Sequence, residues 1–543
     1  MSNWWNERVV YQIYPRSFQD SNGDGIGDIP GIISRLDELK ELGIGVIWLS
    51  PVYNSPDIDN GYDISDYRSI NPIFGTMEDM ELLFAEAAKR DIKVIMDLVV
   101  NHTSDEHEWF VHSRNPDSLY RDYYIWKPPN DEGGPPNNWT TFFAESAWTF
   151  DPKSGEYYLH LFHEKQPDLN FRNPKVIEEV KKIMRFWLNK GASGFRCDVI
   201  NLIWKSSFDD GIHRLAVRGR EHFVSQEGVH EILQEIKRDV IDHYDCFTVG
   251  ESALVNLRDA RLLSDFDRNE LDMVFYFDHL QVDRYVEKYI PKKFRADKLL
   301  NVLTKWQQGL DWNAVYLENH DQPRIVSHYG DDGEYWERSA KLLAIMQFTM
   351  RGTMFIYQGQ EIGMTNFDFT DMSQIDDLET VGVDNLMRSF KVPEFLREKW
   401  IMPCSRDNAR TPMQWSAGPG AGFTTGEPWL EINPNHTEVN YEEQRERGSS
   451  IYNFYKNLIK FRGMNETLMF GEFAPAYSSK KVMAYTRTTT GVEQYSIILN
   501  FSSESVTVPF EGSLVGKVVV TNIGRKAFDG NLSPWEAIVL KVW

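Results

Sequence analysis

Cysteine and long apolar runs are both scarce in this chain of 543 residues. Its only cysteines are Cys197, Cys246 and Cys404, and an odd, sparse set argues against a disulfide framework and suits a reducing compartment. No run reaches the roughly 18 apolar residues that a membrane-spanning helix needs. The start, Met1 to Glu7, lacks a basic region followed by an apolar core, so no secretory signal is expected. We therefore expect a cytoplasmic protein without a membrane partner.

Positive charge is also in short supply, with 58 Lys and Arg against 81 Asp and Glu and a net charge of −23. Such a surface repels phosphate backbones, so we expect no nucleic-acid partner and a neutral or cationic substrate instead. Hydrophobic residues at 41% and charged residues at 26% are ordinary globular values. They exclude collagen, coiled coil and general disorder. The residues do not decide the oligomeric state, and a monomer is our expectation.

Short β-rich runs alternate with amphipathic helical patterns along the chain. The eight runs are Val9–Pro15, Val46–Pro51, Lys93–His102, Gly194–Asn201, Phe247–Glu251, Leu271–Asp278, Ala314–Asp321 and Met354–Gly359. Helical patterns follow most of them, at Ile32–Leu42, Glu78–Lys89, Lys175–Lys190, Val229–Ile241, Lys298–Gln308, Ser339–Met350 and Ile451–Phe461. This alternation predicts an α/β fold, a parallel sheet closed into a (β/α)8 TIM barrel.

Three segments depart from the alternation. Residues 103–166 are rich in Pro, Asn, Gly and aromatic residues and indicate a small inserted subdomain after strand three. Residues 360–410 are too long for a plain loop and are expected to form a wall of the site. From residue 467 onward alternating strands predict a β-sandwich. The predicted domains are a barrel of residues 1–102 and 167–466, an insert of residues 103–166 and a C-terminal domain of residues 467–543.

Polar groups gather at the predicted carboxyl ends of the strands, where barrel enzymes place their catalytic groups. Strand three ends Asp97-Leu98-Val99-Val100-Asn101-His102, strand four contains Arg196-Cys197-Asp198, strand five ends at Glu251 and strand seven ends Glu318-Asn319-His320-Asp321. One such carboxylate could belong to a core ion pair. Three carboxylates with two histidines and an arginine on one rim indicate a catalytic site instead.

The pair Asp198 and Glu251 suits glycoside chemistry. Retaining hydrolysis uses a carboxylate nucleophile and a carboxylic acid about 5 Å apart, and strands four and five are neighbours. Arg196 precedes Asp198 by two residues, so both side chains are expected on one face, where the arginine keeps Asp198 ionised. Nearby carboxylates should raise the pKa of Glu251 toward the acid role.

These segments, in this order, resemble the four signature regions of the α-amylase family, glycoside hydrolase family 13. Gln166-Pro167-Asp168-Leu169-Asn170 resembles a fifth region, found in the branch of oligo-1,6-glucosidases, dextran glucosidases and trehalose-6-phosphate hydrolases. The resemblance extends from Val10-Tyr11-Gln12-Ile13-Tyr14-Pro15 to Arg406-Asp407-Asn408-Ala409-Arg410-Thr411-Pro412. It implies that Asp198 is the nucleophile, Glu251 the acid/base and Asp321 the transition-state stabiliser. The residues implied to bind the non-reducing glucose are Asp59, Tyr62, His102, Phe162, Gln166, Arg196, His320 and Arg410.

The run Asp20-Ser21-Asn22-Gly23-Asp24-Gly25-Ile26-Gly27-Asp28 places oxygen side chains at alternate positions, as a Ca²⁺ loop does. Asp20, Asn22, Asp24 and Asp28 would be ligands, together with the carbonyl of Ile26. The alternative is an Asx-rich turn that binds nothing. Because the branch often carries a metal in this loop, we expect a structural Ca²⁺ here and no organic cofactor.

Linkage preference is suggested by Val199, which follows the nucleophile. Within this branch, enzymes that cut α-1,6 linkages resemble this sequence in having Val there, whereas α-1,4 maltases usually carry Ala or Thr. The sequence thus predicts an exo-acting α-glucosidase that releases glucose from small isomalto-oligosaccharides through a covalent glucosyl-enzyme.

Alternatives from the same branch remain open. Gln281-Val282-Asp283-Arg284-Tyr285 lacks the arginine-rich motif of sucrose isomerases, which disfavours isomerisation. Trehalose-6-phosphate hydrolases share Gly422-Phe423-Thr424-Thr425-Gly426-Glu427-Pro428-Trp429, but usually differ at Pro167 and after Glu251. Cleavage of α-1,4 bonds, sucrose or isomaltulose is a further alternative. An inactive transporter subunit is disfavoured because Asp198, Glu251 and Asp321 are all present.

Overall fold

The computed structural model describes residues 3–214, 216–285, 288–509 and 511–543, so Met1 and Ser2 of the predicted barrel domain lie outside it. Within these ranges eight parallel strands form one sheet. They are β1 (Val9–Ile13), β2 (Val46–Leu49), β3 (Lys93–Leu98), β4 (Gly194–Cys197), β5 (Phe247–Glu251), β6 (Met273–Phe275), β7 (Ala314–Val315) and β8 (Thr353–Tyr357). Hydrogen bonds join them in the order β6-β5-β4-β3-β2-β1-β8-β7, which confirms the predicted barrel.

The strands β6 and β7 stand at the two ends of this order, and side chains link them. The Tyr316 hydroxyl donates to the Tyr276 carbonyl at 2.8 Å, and His279 Nε2 lies 2.9 Å from the Tyr316 carbonyl. These bonds occupy main-chain acceptors that a ladder would otherwise use. They bring the last strands together and close the barrel.

Helices cover the outside of the sheet. Ile29–Ser34 and Leu36–Leu42 follow β1, Met77–Lys89 follows β2, Pro174–Lys190 follows β3, Gly228–Asp239 follows β4, Leu257–Ser264 follows β5, Ala296–Gly309 follows β6, Ile325–His328 and Trp336–Phe348 follow β7, and Ile451–Gly463 follows β8. Local signals set several ends: Thr76 and Asp79 form a capping box, and Gly43 adopts φ 103° after Leu42. The sequence did not predict Leu257–Ser264, because eight residues show too few helical turns for a clear period.

The segment after β3 forms a small unit of its own. It contains the helix Glu108–Ser113 and a three-stranded antiparallel sheet of Trp126–Lys127, Glu156–Leu159 and Trp148–Asp151. Trp139, Trp148 and Leu159 pack in one buried cluster with Val199 and Leu202, which follow β4. The insert therefore rests on the loop that carries the predicted nucleophile.

Residues between β8 and the last barrel helix include the helices Leu378–Ser389, Glu394–Ile401, Asp407–Arg410 and Tyr441–Glu446. A hairpin of Tyr53–Asn54 and Asp66–Ile70 follows β2. Both segments lie at the rim where the barrel strands end, because each leaves from the carboxyl end of its strand. They supply walls to the cleft described below.

The C-terminal region begins after the short helix Glu466–Phe470. Its five-stranded antiparallel sheet pairs Glu472–Ser478, Val482–Thr489, Glu493–Asn500, Ala537–Lys541 and Lys517–Thr521 in that order, and Val506–Thr507 pairs with Asn531–Leu532. Two buried arginines join it to the barrel. Arg487 on the sheet donates to the barrel carbonyl of Thr349 at 2.5 Å, and Arg487 and Arg462 of the last barrel helix both donate to the Leu468 carbonyl, at 2.7 and 2.8 Å.

The observed barrel strands are shorter than the predicted runs at their carboxyl ends. The run Ala314–Asp321 contributes only Ala314–Val315 to the ladder, and Lys93–His102 contributes Lys93–Leu98. The remaining residues leave the ladder to form the rim. Among the described helices, none combines the length and apolar character required to cross a bilayer.

Candidate active site

One buried arginine links carboxylates from three neighbouring strands. Arg196 on β4 bonds Asp97 of β3 at 2.7 Å and Asp198 at 2.6 Å, both through Nη1, and bonds Glu251 through Nη2. The guanidinium is buried, and its two terminal nitrogens hold Asp198 and Glu251 side by side. Parallel strands place these residues together because their carboxyl ends meet at one rim.

Burial raises the pKa of the predicted nucleophile and of the predicted acid/base. The pKa of Asp198 rises to about 7, although Arg196 opposes the rise, and that of Glu251 rises to about 8. The sequence predicts that the charge of Arg196 keeps Asp198 ionised, but the guanidinium is shared with Asp97 and Glu251, and burial outweighs its effect on the pKa of Asp198. The charge of Asp198 contributes to raising the pKa of Glu251. A single proton therefore resides on Glu251 and leaves Asp198 ionised.

Asp321 lies in the opposite electrostatic setting. Its Oδ1 accepts from Arg410 Nη2 at 2.9 Å, and its Oδ2 lies 3.1 Å from His320 Nε2. Burial would raise the pKa of Asp321, but His320, Arg406 and Arg410 outweigh it and hold it well below the usual range. The site thus contains a protonated Glu251 and two ionised carboxylates, Asp198 and Asp321.

His320 acts as a neutral hydrogen-bond donor in this arrangement. Burial lowers its pKa to about 3, so the ring carries a single proton at neutral pH. Gln12 Nε2 lies 2.8 Å from Nδ1, and donation from this amide places the ring proton on Nε2, facing Asp321. Tyr62 stacks on the ring with centroids 5.2 Å apart and fixes its plane.

The inner end of the cleft is closed by side chains from three separate segments. Gln166 Nε2 lies 3.2 Å from Asp59 Oδ2 and 3.3 Å from His102 Nε2. Arg406 Nη2 donates to Asp59 Oδ1 at 3.3 Å. These contacts end a cavity of about 610 Å³, which suits binding at the end of a chain.

The structure brings all the predicted site residues together, but only some of them reach the cavity. Those that line it are Asp59, Tyr62, His102, Phe162, Asp198, Val199, Glu251 and Asp321. The other four predicted residues bond the lining from behind: Gln166 to Asp59, Arg196 to Asp198, and His320 and Arg410 to Asp321. As placed here, these four orient the groups that a sugar would meet.

The backbone at Val199 departs from the extended conformation of the strand that precedes it. The ladder of β4 ends at Cys197, and Val199 adopts φ 34° and ψ 39° in the left-handed region. A β-branched residue rarely adopts this conformation. Continued strand alternation would point its side chain away from the face that Asp198 presents to the cavity, whereas the turn brings Val199 into the cavity lining.

Several residues of the site were missed from the sequence. Arg406 pairs with Asp59 and Asp377, and Asp97 shares Arg196. Arg406 caps the short helix Asp407–Arg410 four residues before Arg410, and this spacing was the available signal. Phe142 stacks on Phe162 with centroids 5.1 Å apart and lines the cavity, but aromatic residues in the insert carried no positional signal.

In the predicted calcium loop, aspartate side chains accept hydrogen bonds from nearby backbone amides. Asp20 Oδ1 accepts from the amides of Asn22 at 2.9 Å and Gly23 at 2.7 Å, and Asp28 Oδ1 accepts from that of Gly31 at 2.6 Å. Within the described residues no group of three or more His, Cys, Asp or Glu is placed to hold a metal ion. The donor set is nonetheless all oxygen, as Ca²⁺ prefers. Among described residues nothing donates a hydrogen bond to the Ile26 carbonyl, so the loop fits the ion chemically.

Comparison with known proteins places this geometry among glycosidases. The model of the α-amylase catalytic domain matches residues 12–471. The chain is 47% identical to the oligo-1,6-glucosidase of Parageobacillus thermoglucosidasius, over 99% of each chain. It is 49% identical to the oligo-1,6-glucosidase of Bacillus cereus, over 92% of this chain and 91% of the other. The crystal structure of Bacillus licheniformis trehalose-6-phosphate hydrolase superposes with a TM-score of 0.93 at 42% identity, over 99% of this chain and 100% of the other.

Proposed function

The chain belongs to the α-amylase family of glycoside hydrolases, and we infer that it hydrolyses α-1,6-glucosidic bonds of short oligosaccharides. Relatives named oligo-1,6-glucosidase, at 47% and 49% identity over nearly the whole chain, are the observation that carries the inference. The cleft suits it, since a closed inner end admits one terminal sugar. Glucose would be released from the non-reducing end.

The chemistry that fits the site uses Asp198 and Glu251 in turn. Asp198 attacks C1 of the terminal glucose while Glu251 passes its proton to the leaving oxygen, which breaks the glycosidic bond and forms a glucosyl ester. Glu251, now ionised, takes a proton from water, which attacks C1 and releases Asp198. Asp321, held ionised by Arg410 and His320, stabilises the positive charge that develops on the ring.

Asp59, Tyr62 and His102 are proposed to bind the hydroxyls of the terminal glucose, with Phe162 against the sugar face. Asp59 is well placed to accept hydrogen bonds because two neighbours, Gln166 and Arg406, hold its carboxylate. Val199, in the cavity lining beside the nucleophile, is proposed to set the room for the leaving sugar and with it the linkage preference.

Initial rates on isomaltose, panose, maltose, sucrose and trehalose 6-phosphate, measured in parallel with purified enzyme, test this function. The expected order places isomaltose and panose first. A higher kcat/KM on maltose or sucrose than on isomaltose would refute the α-1,6 assignment while leaving the glycosidase class intact.

Trehalose-6-phosphate hydrolysis is the second candidate. It is supported by the trehalose-6-phosphate hydrolase of Bacillus subtilis, a relative that is 44% identical over 99% of this chain. The same rate panel decides between them, because only this candidate requires a large preference for the phosphorylated disaccharide over isomaltose.

We also propose a structural Ca²⁺ in the loop Asp20–Asp28, held by Asp20, Asn22, Asp24, Asp28 and the Ile26 carbonyl, and no organic cofactor. The three cysteines are free thiols, which supports a cytoplasmic location. A small oligosaccharide is the proposed partner, with a monomer as the functional state.

A further inference from the structure

The loop between β4 and the helix Gly228–Asp239 carries three arginines at residues 214, 218 and 220, and two of them have internal partners. Arg214 pairs with Glu221, and Arg218 donates to the Asn138 carbonyl at 3.3 Å and the Arg214 carbonyl at 3.1 Å. Arg220 is half-buried, and no described residue forms a hydrogen bond or ion pair with its guanidinium. Its side chain instead lines the catalytic cavity.

The chain is rich in acidic residues that could pair with an arginine such as Arg220. The chain has 81 Asp and Glu against 58 Lys and Arg, and the neighbouring Glu221 is already used by Arg214. A guanidinium has five donors in a rigid fork and is costly to leave unbonded when partly withdrawn from water. The guanidinium of Arg220 lies in the cavity wall without a bonding partner among the described residues. This arrangement indicates that its partner enters with the substrate.

The backbone around Arg220 is held firmly. Gly219 adopts φ 91°, and a Cβ there would lie 2.5 Å from the Trp139 ring, so no other residue fits without displacing it. Trp139 stacks on His222 with centroids 5.7 Å apart, and its Nε1 donates to the Asp209 carbonyl at 2.8 Å. Trp139 of the insert thus contacts the loop on both sides of Arg220, at Gly219 and at His222. These contacts fix the backbone from which the Arg220 side chain extends.

The topology places Arg220 on the side of the leaving group. The closed inner end is built by loops after β2 and β3 and by Arg406 after β8, and it holds the terminal sugar. Arg220 follows β4 and Gln281 follows β6, so they flank Glu251 at the end of β5. Glu251 faces the leaving oxygen, so its neighbours on either side face the leaving sugar.

Gln281 supports this assignment independently. Gln281 also lines the cavity, and no described residue bonds its side-chain amide. Two unbonded polar side chains on opposite sides of the acid suit a ligand with many hydroxyls. We propose that Arg220 is a specificity-determining residue that binds hydroxyls of the glucose units on the leaving-group side; this rests on the proposed oligosaccharide function.

The test compares Arg220→Met and Arg220→Lys with Arg258→Met as a matched control, since Arg258 is an exposed arginine outside the cavity lining. The substrates are 4-nitrophenyl α-glucoside, isomaltose, isomaltotriose and trehalose 6-phosphate. Removing a charge-assisted hydrogen bond should lower kcat/KM on the isomalto-oligosaccharides by about 10- to 100-fold and on the aryl glucoside by less than about threefold. Arg220→Lys should recover part of the loss, and Arg258→Met should change nothing.

Equal losses on all substrates, or no loss on any, would overturn the proposal, since the first indicates a folding role and the second no contact. A loss confined to trehalose 6-phosphate would assign Arg220 to a phosphate and also overturn it. The wild-type ratio of isomaltose to maltose judges the proposed function separately. The effect of Arg220→Met is measured on whichever disaccharide the wild type prefers. The role of Arg220 and the α-1,6 function can therefore be refuted independently of each other. Melting temperatures of the variants identify any that are misfolded.

Discussion

Glu251→Gln should make the protein more stable at alkaline pH, and the gain should grow as the pH rises. Burial, together with the charges of Asp198 and Asp321, raises the pKa of Glu251 from 4.5 to about 8. A folded-state pKa above the unfolded one means that the folded protein retains a proton that the unfolded chain has released. This contribution to stability is complete below pH 4.5, declines as the pH rises, and is lost once the pH passes about 8. Glutamine carries no charge, so its contribution stays constant.

The magnitude follows from the same rise. A change from 4.5 to about 8 corresponds to an upper bound of about 5 kcal/mol at 1.36 kcal/mol per pH unit. The side chain is 14% exposed and shares Arg196 with other carboxylates. These features reduce the expected effect to about 1–3 kcal/mol. For a chain of this length about 1 kcal/mol moves the melting temperature by about 1 °C, so a difference of about 1–3 °C should develop between pH 6 and pH 9.

Differential scanning calorimetry of wild type and Glu251→Gln, in one buffer series from pH 6 to pH 9, measures this difference. Glu86→Gln is the control, because ion pairs with Lys89 and Arg90 lower the pKa of Glu86 and keep it ionised over the whole range. The control difference should be independent of pH. A Glu251→Gln difference that is flat from pH 6 to pH 9, or that favours wild type as the pH rises, would refute the reasoning. The alkaline limb of the wild-type kcat/KM profile should fall in the same region, near pH 8.

Asp198→Asn should lower kcat by several orders of magnitude without a loss of folding, because an amide cannot form the glucosyl ester; near-normal turnover in a sequence-verified preparation would contradict the mechanism. Glu251→Gln should lose far more activity on isomaltose than on 4-nitrophenyl α-glucoside, whose leaving group needs little acid help, and equal losses in rate assays would argue against the acid role. Val199→Ala should shift the ratio of kcat/KM for isomaltose over maltose toward maltose by about 10-fold, as a methyl-sized change in a pocket does, and an unchanged ratio would count against its role in linkage preference. A chelator should lower the melting temperature more than the initial rate, and an unchanged melting temperature with no metal found by elemental analysis would remove the calcium proposal.

The sequence by itself determined the barrel and the position of its chemistry. Helical and strand periods are local properties, and stops such as Gly43 are single residues, so the order of elements could be read along the chain. Once a parallel barrel is predicted, Arg196 and Glu251 must lie near one rim, since strand ends converge there. Their separation in sequence does not matter to that inference.

Only the tertiary structure decided which groups complete the site and how they ionise. Asp59 and Arg406 are 347 residues apart, and no local pattern pairs them. The ladder of β4 ends at Cys197, and the left-handed turn at Val199 then redirects its side chain into the cleft. The raised pKa of Asp198 depends on burial and on how many carboxylates share Arg196. That Arg220 has no bonding partner among the described residues depends on the pairing of Glu221 with Arg214. Burial, the sharing of a charge and the satisfaction of hydrogen bonds all depend on neighbours from distant segments. These neighbours come together only when the chain has folded.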